Sequence, residues 1–222
     1  MKRKLMFCTV LFFVLILPYA LKAQTTVTDI DGNVYRTVKI GTQVWMAENL
    51  KTTKYRNGDP IPIVTDNPQW ISLKTGALCR YKNDEAIKAT YGCLYNWFAV
   101  ADNRSIAPIG WHVPTDAEWT ILIDFLGGEV AAGGKLKESG TAHWLGPNTG
   151  ATNISGFTAL PGGSRFYTDG AFGNVGSIGN WWSSTANNAT NAWDRYLGHN
   201  YAAAGRSYYA KQLGFSVRCI RD

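Results

Sequence analysis

The chain has 222 residues, of which 13% are aromatic and only 17% charged, with 23 glycines. That length suits one large domain with its own core, and the composition describes a loop-rich, rigid extracellular domain better than a helical one. The net charge of +6 shrinks on inspection, because Lys2, Arg3, Lys4 and Lys22 fall in the first 23 residues; beyond them 18 basic residues face 16 acidic ones, and no clustered basic face argues for nucleic acid.

The opening MKRKLMFCTVLFFVLILPYALKAQ has early cations, an apolar run and small residues at Ala20 and Ala23, the layout of a secretory signal peptide over 1–23. The run is short for a membrane span and is followed by polar QTTVTD, so no transmembrane segment is expected once the leader is removed. Cys8 lies inside the run and not at its end, which argues against a lipid anchor. The expected address is the medium, the cell surface or the periplasm. There Cys79, Cys93 and Cys219 would supply one disulfide and a leftover thiol, and sequence does not choose the pair.

The mature chain begins as a meander, with Val34, Val38 and Ile40 on one face and turns at Asp31-Gly32 and Gly41-Thr42. DIDGN resembles a calcium loop, but Val34 stands where that loop needs glycine and Ile40 where it needs glutamate, so it reads as a hairpin turn. Residues 51–83, with Pro60, Pro62 and Pro68, predict irregular surface loops. YGCLYNWFAVAD (91–102) is a buried strand or a short helix, which periodicity does not decide at this length.

PIGWHVPTDAEW (108–119) sets His112, Asp116 and Glu118 within seven residues and raises the question of a metal or catalytic cluster. Thr115 followed by Glu118 is a capping box, Asp116 suits a helix N-terminus, and Trp119, Leu122, Ile123 and Leu126 recur at helical spacing up to Gly127-Gly128. The cluster therefore starts a helix, and no metal ligand is assigned. Beyond it glycine and asparagine predict many turns and little regular structure. The chain closes with two strand-like pieces, WWSST (181–185) and GFSVRCIRD, where Phe215, Val217 and Cys219 alternate with Ser216, Arg218 and Ile220.

Catalytic patterns fail on inspection. The phosphate-loop likeness of GGKLKES puts Glu129 and Leu136 at its key positions, GGSRF ends on Phe166 where a nucleophile elbow needs glycine, and His112, His143 and His199 are far apart. Paired CxxC spacing is absent. What stands out is NWWSSTANNATNAWDRYLGHNYAAAGRSYY, which mixes rigid rings with amides as binding surfaces do. The candidate ligand-contacting residues are Asn187, Asn188, Asn191, Trp193, Asp194, Arg195, Tyr201, Arg206 and Tyr208, with Trp193 or a tyrosine stacking and Arg195 and Arg206 meeting acidic groups. Trp181 or Trp182 and one or two tyrosines are expected in the core.

DGNVYRTVKIGTQVWMAENLKTTKY, YGCLYNWFAV, PIGWHVPTDAEW, GGKLKESG, GFTALPGGSR, WWSST and GFSVRCIRD occur in the order seen in the Fibrobacter succinogenes major paralogous domain, which the chain resembles. That resemblance implies a secreted or surface protein of Bacteroidetes or Fibrobacteres. It also implies a C-type-lectin-like or formylglycine-generating-enzyme-like fold, in which the terminal strands lie together and long loops form the ligand surface. Cys79 and Cys219 match recurrent family cysteines, while Ala107 replaces another, so Cys79–Cys219 and Cys93–Cys219 both stay open. The segment before GFSVRC occupies the place that diversity-generating systems vary in some such domains. AWDR is only a faint echo of a lectin calcium motif, so no cofactor is assigned and calcium is the one candidate.

The resulting expectation is an α+β, C-type-lectin-like domain over 24–222, with a small twisted antiparallel sheet, about two helices and long ordered loops. Its expected function is non-catalytic binding of a glycan or surface protein. The alternatives are a formylglycine-generating type of enzyme with Cys93 or Cys79 as a reactive thiol, or a structural protein of the cell envelope.

Overall fold

Pairing between the two ends of the domain sets the architecture. The computed structural model describes residues 25–222, so the leader expected at 1–23 lies outside the described residues. Strands β1 (Thr26–Thr28), β2 (Val34–Ile40) and β3 (Gln43–Met46) form the antiparallel meander. Its first turn is locked by Asp29, whose carboxylate accepts from the backbone N–H of Asp31 (3.0 Å) and Asn33 (2.9 Å), from Asn33 Nδ2 and from the Tyr35 hydroxyl. Every acceptor of Asp29 serves the turn, which is why DIDGN works as a hairpin and not as a cation loop.

Short pieces follow: α1 (Asn67–Ile71), β4 (Leu78–Cys79), a 3-10 turn at Tyr81–Asn83, α2 (Ile87–Tyr91), β5 (Leu94–Tyr95) and α3 (Trp97–Val100). The ambiguous YGCLYNWFAVAD is thus strand and then helix. The switch is Asn96, whose side-chain oxygen caps α3 at Ala99 N–H and also accepts from Ala77 N–H. Next come β6 (Trp111–His112), α4 (Asp116–Phe125) and α5 (Glu129–Leu136). The capping box of α4 forms as expected, and Gly127 and Gly128 take positive φ just past its end.

Helix α5 contradicts the expectation of loops here. Gly133 and Gly134 lower its helix propensity, but both are needed: a Cβ would lie 2.2 Å from the Ala203 carbonyl oxygen at Gly133 and 2.3 Å from the Gly150 carbonyl oxygen at Gly134. Strands β7 (Gly162–Arg165), β8 (Phe172–Val175), β9 (Ile178–Ala186), β10 (Asn191–Gly198) and β11 (Ala204–Ala210) then build a regular five-stranded sheet; β9 contains the expected strand WWSST, while β7 and β8 fall in the stretch expected to be mostly turns. The closing strand is shorter than expected: only β12 (Ile220–Arg221) is regular, although Phe215 and Ser216 make isolated bridges to Tyr95 and Trp181.

The first sheet has the order β1-β2-β3-β12-β6, the second β11-β10-β9-β7-β8, and β4 pairs with β5. Among the described residues the fold is mixed α and β, with mainly antiparallel sheets and five helices where about two were expected, three of them four or five residues long. Both sheets feed two cores. Trp45 and Ile220 enter one while Met46 and Cys219 enter the other, and the neighbours Trp181 and Trp182 divide in the same way. This two-sided burial overrides simple alternation: Val34 is exposed while Tyr35 is buried, and Ser216 and Arg218 are as buried as Phe215 and Val217. Cys79, Cys93 and Cys219 are free and buried, so the expected disulfide is not formed. Cys79 packs in a third cluster with Trp70, apart from Cys93 and Cys219, and each thiol acts as a small apolar core group. Among the described residues no helix is long and apolar enough to cross a membrane.

A buried cation fastens the glycine-rich region. Lys137 is fully enclosed at the end of α5 and donates to the carbonyls of Thr149 (3.0 Å), Gly198 (2.8 Å) and Tyr201 (2.8 Å). Burial pushes its pKa down to about 8, so the ammonium is still the main form at neutral pH. Lys137→Met is expected to strand three carbonyls and lower unfolding stability by about 3 kcal/mol in urea titrations. A loss below about 1 kcal/mol would show that the carbonyl cage is not a structural support.

Candidate functional site

The sequence-predicted surface divides once folded. Asn187, Asn188 and Asn191 form the β9–β10 turn, and Asn188 Oδ1 spends itself accepting from Thr190 N–H, Thr190 Oγ1 and Asn191 N–H. On β10 and β11, Trp193 lies opposite Tyr208 and Arg195 opposite Arg206, so these four share one face of the second sheet. Trp193 and Tyr208 meet edge to face at 5.5 Å, and the Arg206 guanidinium lies 3.4 Å over the Trp193 ring. Asp116, at the start of α4, pairs with Arg195 Nη1 at 2.7 Å and Arg206 Nη2 at 2.8 Å.

Two expectations fail here. Arg195 is 4% exposed and Asp194 wholly buried, so neither meets a ligand from this surface. Arg195 instead ties β10 to α4 through Asp116 and Thr120. Burial pushes the Asp194 carboxyl up to about 8, against the opposing charge of Arg195. Trp193 already has Arg206 stacked on its face, and Arg206 already has a carboxylate. Tyr201 lies over Gly198, where a Cβ would come within 2.4 Å of its ring, and its carbonyl serves Lys137.

The opposite face of the same sheet holds a cavity of about 320 Å³ that the sequence reading did not assemble. All five strands contribute: Ser164 from β7, Asn174 from β8, Ile178 and Asn180 from β9, Tyr196 from β10 and Tyr209 from β11. Phe166, Tyr167 and Thr168 of the β7–β8 connection and Leu213 and Phe215 beyond β11 close the rim. The Tyr196 ring is set by Gly205 across the strand pair, where a Cβ would fall 2.1 Å from the ring. Burial, with the charge of nearby Asp194 adding to it, raises the Tyr209 pKa and keeps its phenol protonated. Among the described residues no lysine, arginine, histidine, carboxylate or thiol lines the space. The available sequence hint was Asn180, a polar residue set directly before two tryptophans in a strand-like run.

A second cavity of about 240 Å³ is lined by Asp29, Lys54, Arg56 and Ile109 among others. Its polar groups are already engaged: Asp29 in its turn, Lys54 with Asp31 at 3.3 Å, and Arg56 on the carbonyls of Ala107, Pro108 and Trp111. Burial pushes the Cys79 thiol up to about 12 and Cys93 to about 11, and raises Cys219 further, the opposite of an activated thiolate. Among the described residues no group of three His, Cys, Asp or Glu side chains is placed to hold a metal ion.

Residues 38–221 match the family model described as the Fibrobacter succinogenes major domain. The chain belongs to this family. No curated protein and no solved structure matched it. The matched span of this Fibrobacter succinogenes major domain runs from within β2 to β12, so it takes in the second sheet with its cavity and the first sheet apart from β1 and the start of β2.

The His112 cluster of the domain is a clasp. His112 Nδ1 lies 2.6 Å from Asp222 Oδ1 and Nε2 lies 2.8 Å from Glu118 Oε1, while Glu118 Oε2 completes the capping box at Thr115. Desolvation works against the imidazolium, but hydrogen bonds to Asp222 and Glu118 prevail and raise the His112 pKa. A raised folded-state pKa adds stability that is whole below the unfolded imidazole value of about 6.5 and is lost as pH rises through the folded value. The stability margin of the native chain over His112→Gln should therefore shrink in denaturant titrations as pH rises above about 6.5. A margin that grew with pH would overturn the clasp.

Proposed function

We propose that the chain is a secreted or surface-exposed, non-catalytic binding module for a glycan or surface protein, with the second sheet as its ligand-contacting element. One observation carries this reading: the five strands converge on a cavity lined by rings, hydroxyls and amides, with no acid–base pair, cation or thiol to act on what enters. The extracellular address rests on the leader-like N-terminus. A C-type-lectin-like arrangement draws support from the pairing of β3 with β12, from two successive helices, and from the long excursion returning to β12.

The test is a glycan array and a surface-protein pulldown with the native chain, Trp193→Ala and the double variant Tyr196→Ala/Tyr209→Ala. The double variant is expected to lose at least about tenfold in affinity, the scale of removing two ring contacts, with Trp193→Ala much milder. Unchanged capture by the double variant, or a greater loss in Trp193→Ala, would remove the cavity as the binding element. In thiol labelling the three cysteines are expected to stay unmodified until the chain unfolds; rapid native labelling of Cys79 or Cys93 would instead favour chemistry.

A further inference from the structure

We propose that the cavity on the second sheet takes an uncharged saccharide ring, held by hydrogen bonds to Asn180 and Ser164 and by stacking on Tyr196 and Tyr209. This rests on the second sheet being the ligand-contacting element. Asn180 sits in the central strand β9 and is 6% exposed, and Ser164 on β7 is 2% exposed. Both line the cavity, and neither side chain has a hydrogen-bond partner among the described residues, whereas Asn49, Asn96, Asn148 and Asn188 all have one. Asparagine is poorly suited to a strand, and the polar atoms of Asn180 and Ser164 are not among the unpartnered atoms sealed in the cores but stay open to the cavity. Folding alone gives Asn180 and Ser164 nothing to do.

The ligand class follows from elimination. The lining has no cation for a phosphate, sulfate or carboxylate and no carboxylate for an amine. A purely apolar ligand would leave the Asn180 amide and the Ser164 hydroxyl dry and unpaired, each at a penalty. A sugar ring answers both needs, because its C–H face packs on an aromatic ring while its hydroxyls give and accept hydrogen bonds. Tyr196 and Tyr209 supply such faces with hydroxyl tips. A volume of about 320 Å³ lies at the small end of ligand sites, room for about one or two sugar rings and not for a long chain.

The experiment follows amide chemical shifts of the full domain during titration with neutral mono- and disaccharides at millimolar concentration. Galacturonic acid, glucosamine and an apolar phenol serve as comparison probes. Neutral sugars are expected to shift the amides of Asn180, Tyr196 and Tyr209. Asn180→Val should abolish those shifts, weaken binding at least tenfold and raise the melting temperature by about 2–4 °C, because a strand-forming side chain replaces an unpartnered amide. Should Asn180→Val melt lower, Ser164→Ala supplies the same test, with weaker binding at unchanged melting temperature. Preferential binding of the charged sugars or of the phenol would overturn the saccharide assignment while leaving a cavity that binds ligands. If no probe moved a cavity amide and the double tyrosine variant left native capture unchanged, both the saccharide and the binding role of this sheet would fall.

Discussion

Three buried cations without carboxylate partners hold this fold together. Lys137 is caged by the carbonyls of Thr149, Gly198 and Tyr201. Arg165 donates to the carbonyls of Gly170, Val64 and Thr65 and to Asn67 Oδ1. Arg218 donates to Asn49 Oδ1 and to the carbonyls of Phe157 and Thr158. Burying a charge costs several kcal/mol unless its protons all find acceptors. Irregular loops, in turn, carry carbonyls that need donors once water is gone. Each problem is the other's solution. A single guanidinium or ammonium satisfies carbonyls from two or three separate loops and so cross-links segments that share no secondary structure.

The rings of the core extend the same logic. Arg165 lies over Trp70 at 4.5 Å and Arg218 over Phe157 at 4.1 Å, so aromatic faces shield the charges from solvent. Indole N–H groups then reach across the cores: Trp97 to the Ser183 carbonyl, Trp182 to the Tyr95 carbonyl, Trp144 to the Ala159 carbonyl and Trp181 to Asn49 Oδ1. Asn49 accepts from both Trp181 and Arg218 while its amide donates to the Tyr91 carbonyl and Ser216 Oγ. One buried amide thus joins the end of the first sheet to the second. The tryptophans supply volume and donors together, which is how a chain so poor in long helices encloses its cores.

Local signals in the sequence were reliable where the physics is local. The capping box at Thr115 and Glu118, the turn at DIDGN and the double-glycine stop after α4 depend on residues three or four apart, and all were legible. Helix α5 and the second sheet beyond WWSST were not, because their stability comes from distant partners. Gly133 and Gly134 are poor helix formers kept by the close approach of the Ala203 and Gly150 backbones, and NAWDRYLG is a strand because Trp193 and Arg195 find Tyr208 and Arg206 across the pair. The candidate ligand residues were chosen for type, and type alone did not separate Asn188, consumed by its own turn, from Asn180, which is not. Arginine was the most misleading residue: Arg195 and Arg218 look like surface charges in a string of letters and are structural bolts in the fold.

The two faces of the second sheet differ in one property, the completeness of their polar bonding. On the Trp193 face Asp116 bridges Arg195 and Arg206, Arg206 covers Trp193, and Tyr208 packs on the edge of that ring. A ligand arriving there would have to break contacts before making any, so the net gain of each new hydrogen bond or stack is small. On the Tyr196 face the rings are fixed by Gly205 and Phe215, while Asn180 and Ser164 keep their hydrogen-bonding capacity unspent. Rigidity is set by packing there and polarity is left open, the combination that lets a ligand bind without a prior loss. Unpartnered polar atoms sealed inside the fold, such as the Asp194 carboxyl oxygens and the Trp70 and Trp119 indole N–H groups, are out of a ligand's reach, whereas the Asn180 amide in the central strand faces the cavity.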